Sequence, residues 1–219
     1  MNKRIKENKV TFFNNIFYVN ENVLTPRKKT EATVWQAIKQ IENLLYHNNE
    51  LRVVDIGTGS GNILISIAKY FYNIKQINIK YLGIDISEKA IEVAEINRNL
   101  HLLEDKIDYI VGDLHVNICF DKSDIVVANL PYLPSRMSTT HYVDTEPDIA
   151  KFDLGNGCEL AYNLLEHLKR YPPKIAIIEN DGSNVYSLKQ YCDSKLDNVL
   201  VEIYFDEDNL ERGIVITWL

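Results

Sequence analysis

Cysteine is scarce in this chain: of 219 residues only Cys119, Cys158 and Cys192 are cysteines, and they stand far apart. No CxxC pair exists, which argues against a zinc ribbon or a thioredoxin-type pair. An odd number of isolated thiols fits a reducing, cytoplasmic setting. No uncharged apolar run reaches the ~18 residues that a membrane span requires. The basic start, Met1 to Lys9, is not followed by an apolar stretch, so it is not a secretory signal. Positive charge is not in excess either. Twenty-four Lys+Arg against 31 Asp+Glu leave a net charge of −7, which argues against a nucleic-acid binder working through a broadly basic surface. Repeats, low-complexity tracts and Gly/Ser linkers are missing, as is any His-rich or Cys-rich cluster that would hold a metal.

What remains is the balance of a soluble globular chain, 46% hydrophobic and 25% charged. A chain of this length buries roughly 70% of its unfolded surface and needs no disulfide or metal to fold. Two β-prone runs, Thr11–Phe13 and Ile16–Val19, are split by Asn14-Asn15 and predict a hairpin. A helix is expected from Glu31, with Thr30 as N-cap and Val34, Ile38, Ile41 and Leu45 at helical spacing.

Strands then alternate with helices. Strands are predicted at 51–56, 80–86, 107–111, 124–128, 174–179, 200–205 and 213–218, with helices after Gly61, from Ser87, over 159–171 and over 183–191. The helix capped by Ser87 carries Ala90, Val93, Ile96, Leu100 and Leu103 on one side. This alternation predicts an α/β fold: a mostly parallel seven-stranded sheet, helices on both faces, and an antiparallel C-terminal hairpin turning at Asp206–Asn209. Ligands bind such sheets outside the carboxyl ends of the strands.

Those ends carry the chemistry. The first strand ends in Asp55-Ile56-Gly57-Thr58-Gly59-Ser60-Gly61. Three alternating glycines let the backbone turn sharply and a ligand approach the main chain. The dinucleotide fingerprint would need glycine where Asn62 stands, so nothing favours a pyrophosphate. The second strand ends in Asp85, an acid able to accept from both hydroxyls of a ribose. The third ends in Gly112-Asp113-Leu114, where Asp113 can accept from an adenine amino group while Leu114 packs on the ring. The fourth ends in Asn129-Leu130-Pro131-Tyr132. Of five histidines, only His115 and His141 fall in or near these loops.

This ordered set resembles the class I S-adenosylmethionine-dependent methyltransferases that act on planar nitrogens, a Rossmann-like family. The resemblance implies that the Asn129 side-chain oxygen and the Leu130 carbonyl hold a target NH2 while Tyr132 packs on its planar face. More of the chain is similar to the HemK/PrmC family of release-factor glutamine methyltransferases: Val23–Glu31 resembles its V-L-x-P-R-P-x-T-E segment, Asp55–Gly61 with Ile65–Ala68 its glycine motif, and Ile84–Ser87 with Ala90, Ala94 and Asn97 its second motif. Glu146-Pro147, Gly155–Gly157 and Glu179 have looser counterparts. Departures are Lys28 for the third residue of P-R-P and Leu130 within the family's N-P-P-Y. About a dozen residues precede the hairpin, where bacterial members carry a helical domain.

The resemblance thus implies a cofactor, S-adenosyl-L-methionine, held by Asp55, Gly57, Thr58, Gly59, Ser60, Gly61, Asp85, Ile86, Asp113, Leu114 and Asn129. Acceptor chemistry falls to Asn129, Leu130, Pro131 and Tyr132, with no metal. It implies residues 1–30 as an extension bearing the hairpin and 31–219 as the methyltransferase domain. The substrate that the resemblance implies is a release factor, methylated on a glutamine amide, with association with the ribosome or a small partner subunit left open. Asn-Leu-Pro-Tyr also resembles the ribosomal-RNA adenine dimethyltransferases, so adenine in RNA or DNA is the alternative acceptor, with an inactive cofactor-binding subunit as a second alternative.

Overall fold

A computed structural model describes residues 8–46, 50–74, 77–114, 122–134, 146–153 and 155–219. His115, His141 and Cys119 lie outside the described residues.

The chain opens with a hairpin, β1 (Asn8–Phe12) and β2 (Asn15–Val19), in antiparallel register with Phe12 opposite Asn15. The turn therefore falls on Phe13-Asn14, one residue earlier than the Asn-Asn pair suggested. Both residues have positive φ, +48° and +58°, as the tight turns that match strand twist demand. Phe13 is held there from outside the hairpin. Its N–H donates to Glu31 Oε1 at 2.8 Å and its ring meets Trp35 edge-on at 4.9 Å.

Helix α1 (Glu31–Leu45) follows a single 3-10 turn at Lys28–Thr30. Thr30 does not cap it. The residue is already helical and its hydroxyl is turned away from the helix start, donating instead to Glu179. Val34, Ala37, Ile38 and Ile41 form its buried stripe.

The main sheet comprises β3 (Glu50–Ile56), β4 (Asn78–Asp85), β5 (Ile107–Val111), β6 (Ile125–Ala128), β7 (Ile175–Glu179), β8 (Val199–Phe205) and β9 (Glu211–Trp218). Their spatial order is β5-β4-β3-β6-β7-β9-β8. The first five are parallel, while β9 is antiparallel to both neighbours. The C-terminal hairpin thus lies at the sheet edge with β9 inserted between β7 and β8. Strands β6 and β7 are buried along their whole length, as central strands covered on both faces must be. Their side chains alternate between two cores. Ile125, Val127, Ile175 and Ile177 face α1 and α2 (Asn62–Phe71). Val126, Ala128, Ala176 and Ile178 face α4 (Glu159–Arg170) and α5 (Ser183–Lys195).

Helix α3 (Glu88–Leu100) is capped as its sequence suggested, Ser87 Oγ accepting from Ala90 N at 3.3 Å. Its buried face differs from the expectation. Ala90, Ile91, Val93, Ala94 and Asn97 are buried, whereas Ile96 and Leu100 are about half exposed. The reason is Asn97. Its Oδ1 accepts from Tyr18 N, and its Nδ2 donates to the Tyr18 and Ser60 carbonyls, at 2.7–2.9 Å. A polar side chain satisfied by three backbone groups takes the face on which apolar spacing alone would have put Ile96. It also ties hairpin to glycine turn.

The chain winds β3–β4–β5 in one direction and returns through β6–β7, so β3 and β6 flank the switch point. Their carboxyl ends are Ile56 and Ala128.

Candidate active site

A cleft of about 270 Å³ opens at that switch point. Its walls come from the carboxyl ends of β3, β4, β5 and β6 and from two segments laid over them, 22–30 and 149–152.

The glycine turn forms one wall. Gly57, Gly59 and Gly61 have φ of +74°, +54° and +76°, where only glycine sits without strain. The turn is tied to β4 by Gly57 N and Thr58 N donating to the Ile84 carbonyl at 2.8 and 3.0 Å. A Cβ on Gly57 would press on Leu130 at 3.1 Å, and one on Gly61 would clash with the Tyr109 hydroxyl. A Cβ on Gly59 would meet nothing nearer than a carbonyl at 4.0 Å. Gly59 lines the cleft, so its missing side chain leaves room on the ligand side.

Asp85 is the organising acid. Its Oδ2 accepts from Gly59 N at 2.8 Å and its Oδ1 from Ser87 N at 2.9 Å. Each oxygen keeps a further lone pair for a ligand hydroxyl. Burial pushes its carboxyl above the usual range, opposed by the N–H groups of Ser87, Gly59 and Ile86. Ile86, Asp113 and Leu114 line the same wall, as do Thr58 and Ser60.

Two expected cofactor residues are placed differently. Asp55 and Gly61 lie beneath the turn and do not line the cleft. Asp55 is 1% exposed. Its Oδ2 accepts from the Thr58 hydroxyl at 2.7 Å, while no described residue bonds to its Oδ1. Burial pushes its carboxyl up to about 7, against the Thr58 hydrogen bond, with Asp85 raising it further. Asp55 thus braces the turn from below.

The opposite wall begins where β6 ends. Asn129, Leu130 and Pro131 line the cleft, whereas Tyr132 does not. The chain beyond it pairs Leu133 with Phe152, so Tyr132 is set toward Arg212, Glu179 and Asp181. Burial raises its phenol, as do those two carboxylates, against Arg212.

Four residues to which the sequence assigned no part in the site support this wall, Thr30 within the cleft and Glu146, Glu179 and Arg212 behind it. Glu146 accepts from Thr25 N at 3.0 Å and pairs with Arg27 at 2.7 Å, clasping the 22–30 segment to the 146–153 segment. Thr30 lines the cleft and touches Asn129, whose Nδ2 donates to its hydroxyl oxygen at 3.3 Å. Glu179, at the end of β7, accepts from Thr30 and Thr33. Arg212, 1% exposed, bonds Asp206 at 2.9 Å and Asp181 at 3.1 Å. Glu146 and Glu179 were visible as loose motif counterparts, but their partners are too distant in sequence to be inferred. The basic run at 27–29 is engaged within the chain, Arg27 with Glu146 and Lys28 with Glu207.

Asp153 holds the neighbouring loop. Burial raises its carboxyl, but the N–H groups of Leu160, Gly157, Glu159 and Gly155 outweigh that and hold it below the usual range. No group of three or more candidate metal ligands occurs among the described residues, and none of their helices is long and apolar enough to cross a membrane.

The glycine-lined turn and Asp85 thus face Asn129, Leu130 and Pro131 across the switch point, and comparison with known proteins identifies the family. The methyltransferase domain family model matches residues 47–185. The release factor glutamine methyltransferase of Dictyoglomus turgidum is 30% identical over 218 residues, covering 96% of this chain and 73% of the relative. Its counterpart in Flavobacterium psychrophilum is 33% identical, covering 93% and 68%. Among solved structures, the ribosomal protein L11 methylase of Lactobacillus delbrueckii subsp. bulgaricus superposes with a TM-score of 0.61 at 18% identity, covering 90% of this chain and 81% of that one. The N-terminal domain of human METTL16 in complex with SAH has the same TM-score at 13% identity, covering 91% and 74%. These two share the fold. The chain belongs to the class I S-adenosylmethionine-dependent methyltransferases and, within them, to the release factor glutamine methyltransferase family.

Proposed function

We propose that this methyltransferase modifies the side-chain amide of a glutamine in a peptide chain release factor. The observation that carries the reading is the shared cleft: Asn129, Leu130 and Pro131 face Gly59 and Asp85 across the switch point. The names of the relatives support the choice of substrate.

The residues present fit the cofactor. Gly59 leaves its ligand side open, Asp85 keeps lone pairs free, and Leu114 and Ile86 offer apolar surface beside Asp113. In this reading Asp85 takes the ribose hydroxyls, and Asp113 with Leu114 takes the adenine. Gly57 to Ser60 lie along the amino-acid end, with Asp55 and Gly61 acting on it through the turn. Bound there, the cofactor supplies an electrophilic methyl on a sulfonium.

The chain's own work is positional and electrostatic. An amide nitrogen is a poor nucleophile because its lone pair is delocalised. Asn129 Oδ1 and the Leu130 carbonyl accept its two hydrogens, orient it toward the methyl and partly restore density on nitrogen. Pro131 stiffens the carbonyl, since a residue before proline is held extended. Tyr132 stands behind Pro131, turned toward Arg212 and Glu179, and supports this wall from outside the cleft. No dedicated base is required.

The test is methyl transfer from labelled cofactor to a purified bacterial release factor, followed by digestion and mass analysis. Label on a glutamine in a Gly-Gly-Gln loop is the expected result. Label found only in adenine of added RNA or DNA overturns it.

A further inference from the structure

We propose that Thr30 and Glu179 are positioning residues that fix which way the Asn129 amide points, turning its oxygen toward the methyl acceptor. The inference rests on the reading of Asn129 as an acceptor-site amide and adds the device that orients it.

An asparagine side chain is nearly symmetric in shape, and its two orientations differ only in where donor and acceptor lie. In the wrong orientation Asn129 would present N–H groups to the N–H groups of its target. Something must break the symmetry, and Glu179 does so from a distance. It is 2% exposed at the end of β7, beside the strand that Asn129 follows. Its Oε1 accepts from the Thr30 hydroxyl at 2.9 Å and its Oε2 from the Thr33 hydroxyl at 2.6 Å. Thr33 is itself 2.9 Å from the Tyr204 hydroxyl.

Thr30 has one hydroxyl proton, and the carboxylate takes it. Toward Asn129 its oxygen can then only accept. The Nδ2 of Asn129 lies 3.3 Å from that oxygen. Flipping the amide would set Oδ1 against an oxygen with no proton to give. The acceptor oxygen that Glu179 offers is thus relayed through one hydroxyl into a fixed orientation of the amide. Its oxygen is left for the cleft that Thr30 and Asn129 both line.

A purely structural purpose does not account for this choice of residues. Burial of a carboxylate is costly, and burial pushes Glu179 up to about 7 even though Thr33, Thr30 and Arg212 lower it. An apolar pair would fill the same space without that cost.

The experiment compares Thr30→Val, Thr30→Ser and Asn129→Ala, reading kcat and KM with a purified bacterial release factor and cofactor affinity by calorimetry. Thr30→Val keeps the shape but not the hydroxyl. It is expected to lower kcat roughly tenfold while cofactor affinity stays within about twofold, and Thr30→Ser is expected to recover kcat to within about threefold. A structural role alone would lower the melting temperature of Thr30→Val and leave kcat of the folded protein in place. If Thr30→Val turns over normally while Asn129→Ala is inactive, the relay is overturned and the proposed function stands. If Asn129→Ala turns over normally, both are overturned. Should the wild-type protein leave the release factor unmodified, the orientation is read by NMR. The Asn129 NH2 resonances, identified by their loss in Asn129→Ala, must shift in Thr30→Val and return in Thr30→Ser. Resonances that do not move overturn the relay.

Discussion

The two walls of the cleft are built by different means. On the β4 side the polar groups come from neighbours in the chain and from backbone: Asp85 holds the glycine turn 26 residues away, and Ser87 two residues on. On the β6 side they are side chains brought together from across the whole sequence. Thr30 meets Glu179 over 149 residues, and Arg27 meets Glu146 over 119. The first wall is a local motif organised around Asp85. The second is a side-chain network in which Asn129 meets Thr30, itself on the cleft, and Thr30 meets Glu179 behind it. A cofactor is the same molecule in every turnover, so a backbone cradle suffices for it. In the proposed reading a macromolecular acceptor needs its reacting atom aimed, and side chains with fixed donors and acceptors do that.

The comparison breaks first at Asn129. In the proposed reading, Asn129→Ala loses about two orders of magnitude or more in turnover, as removal of one aimed polar group does in oxyanion-type sites. Cofactor affinity, measured in parallel by calorimetry, should move far less; a large loss of affinity would put Asn129 on the cofactor side. Asp85→Ala should do the reverse. It removes hydrogen bonds to a charged acceptor, each worth about 1.5–3 kcal/mol, so cofactor affinity falls at least roughly tenfold. Unchanged affinity would remove the ribose assignment.

Each wall also carries one buried carboxyl raised to about 7, Asp55 by burial beneath the turn and Glu179 by burial behind Thr30. Unfolded carboxyls titrate near about 4. Between about pH 4 and 7 the folded protein therefore holds more protons than the unfolded chain, and stability falls as pH rises through that window. The slope is at most about 1.4 kcal/mol per pH unit for each group. Urea unfolding without cofactor should show lower stability at about pH 8 than at about pH 5, and Asp55→Asn should flatten part of the difference. A stability that climbs steadily over this range would contradict the burial of both. The smallest effect is expected at Leu130. If its role is to offer a carbonyl, Leu130→Pro reduces turnover by less than about threefold, the cost appearing in melting temperature because the side chain packs on Gly57.

Much of the fold was legible in the sequence because the strands are short β-branched runs and the helices repeat apolar residues at helical spacing. The same holds for the cofactor wall. Gly57, Gly59, Asp85, Asp113 and Leu114 all follow strand ends directly, so locating the strands locates them. Errors arose where a distant contact outweighed a local signal. Phe13 takes a left-handed turn because Glu31 and Trp35 hold it, Thr30 abandons its helix for Glu179, and Asn97 displaces Ile96 from the buried face. The acceptor wall was legible only as far as Asn129 and Pro131. Thr30, Glu179 and Arg212 reach it through folded-state proximity, for which spacing along the chain carries no signal.

Asn97 also decides where the chain can be cut. Its single side chain bridges the backbone of Tyr18 and that of Ser60, and Phe12 and Phe17 sit in the same core as α1 and α2. Removing the residues ahead of α1 would strip two aromatic side chains from that core and leave a buried amide with one of its three backbone partners. A piece that keeps the Asn97 tie between hairpin and glycine turn therefore includes β2, and a circular permutant that opens the chain between β2 and α1 would have to recapture the hairpin by docking rather than by tether.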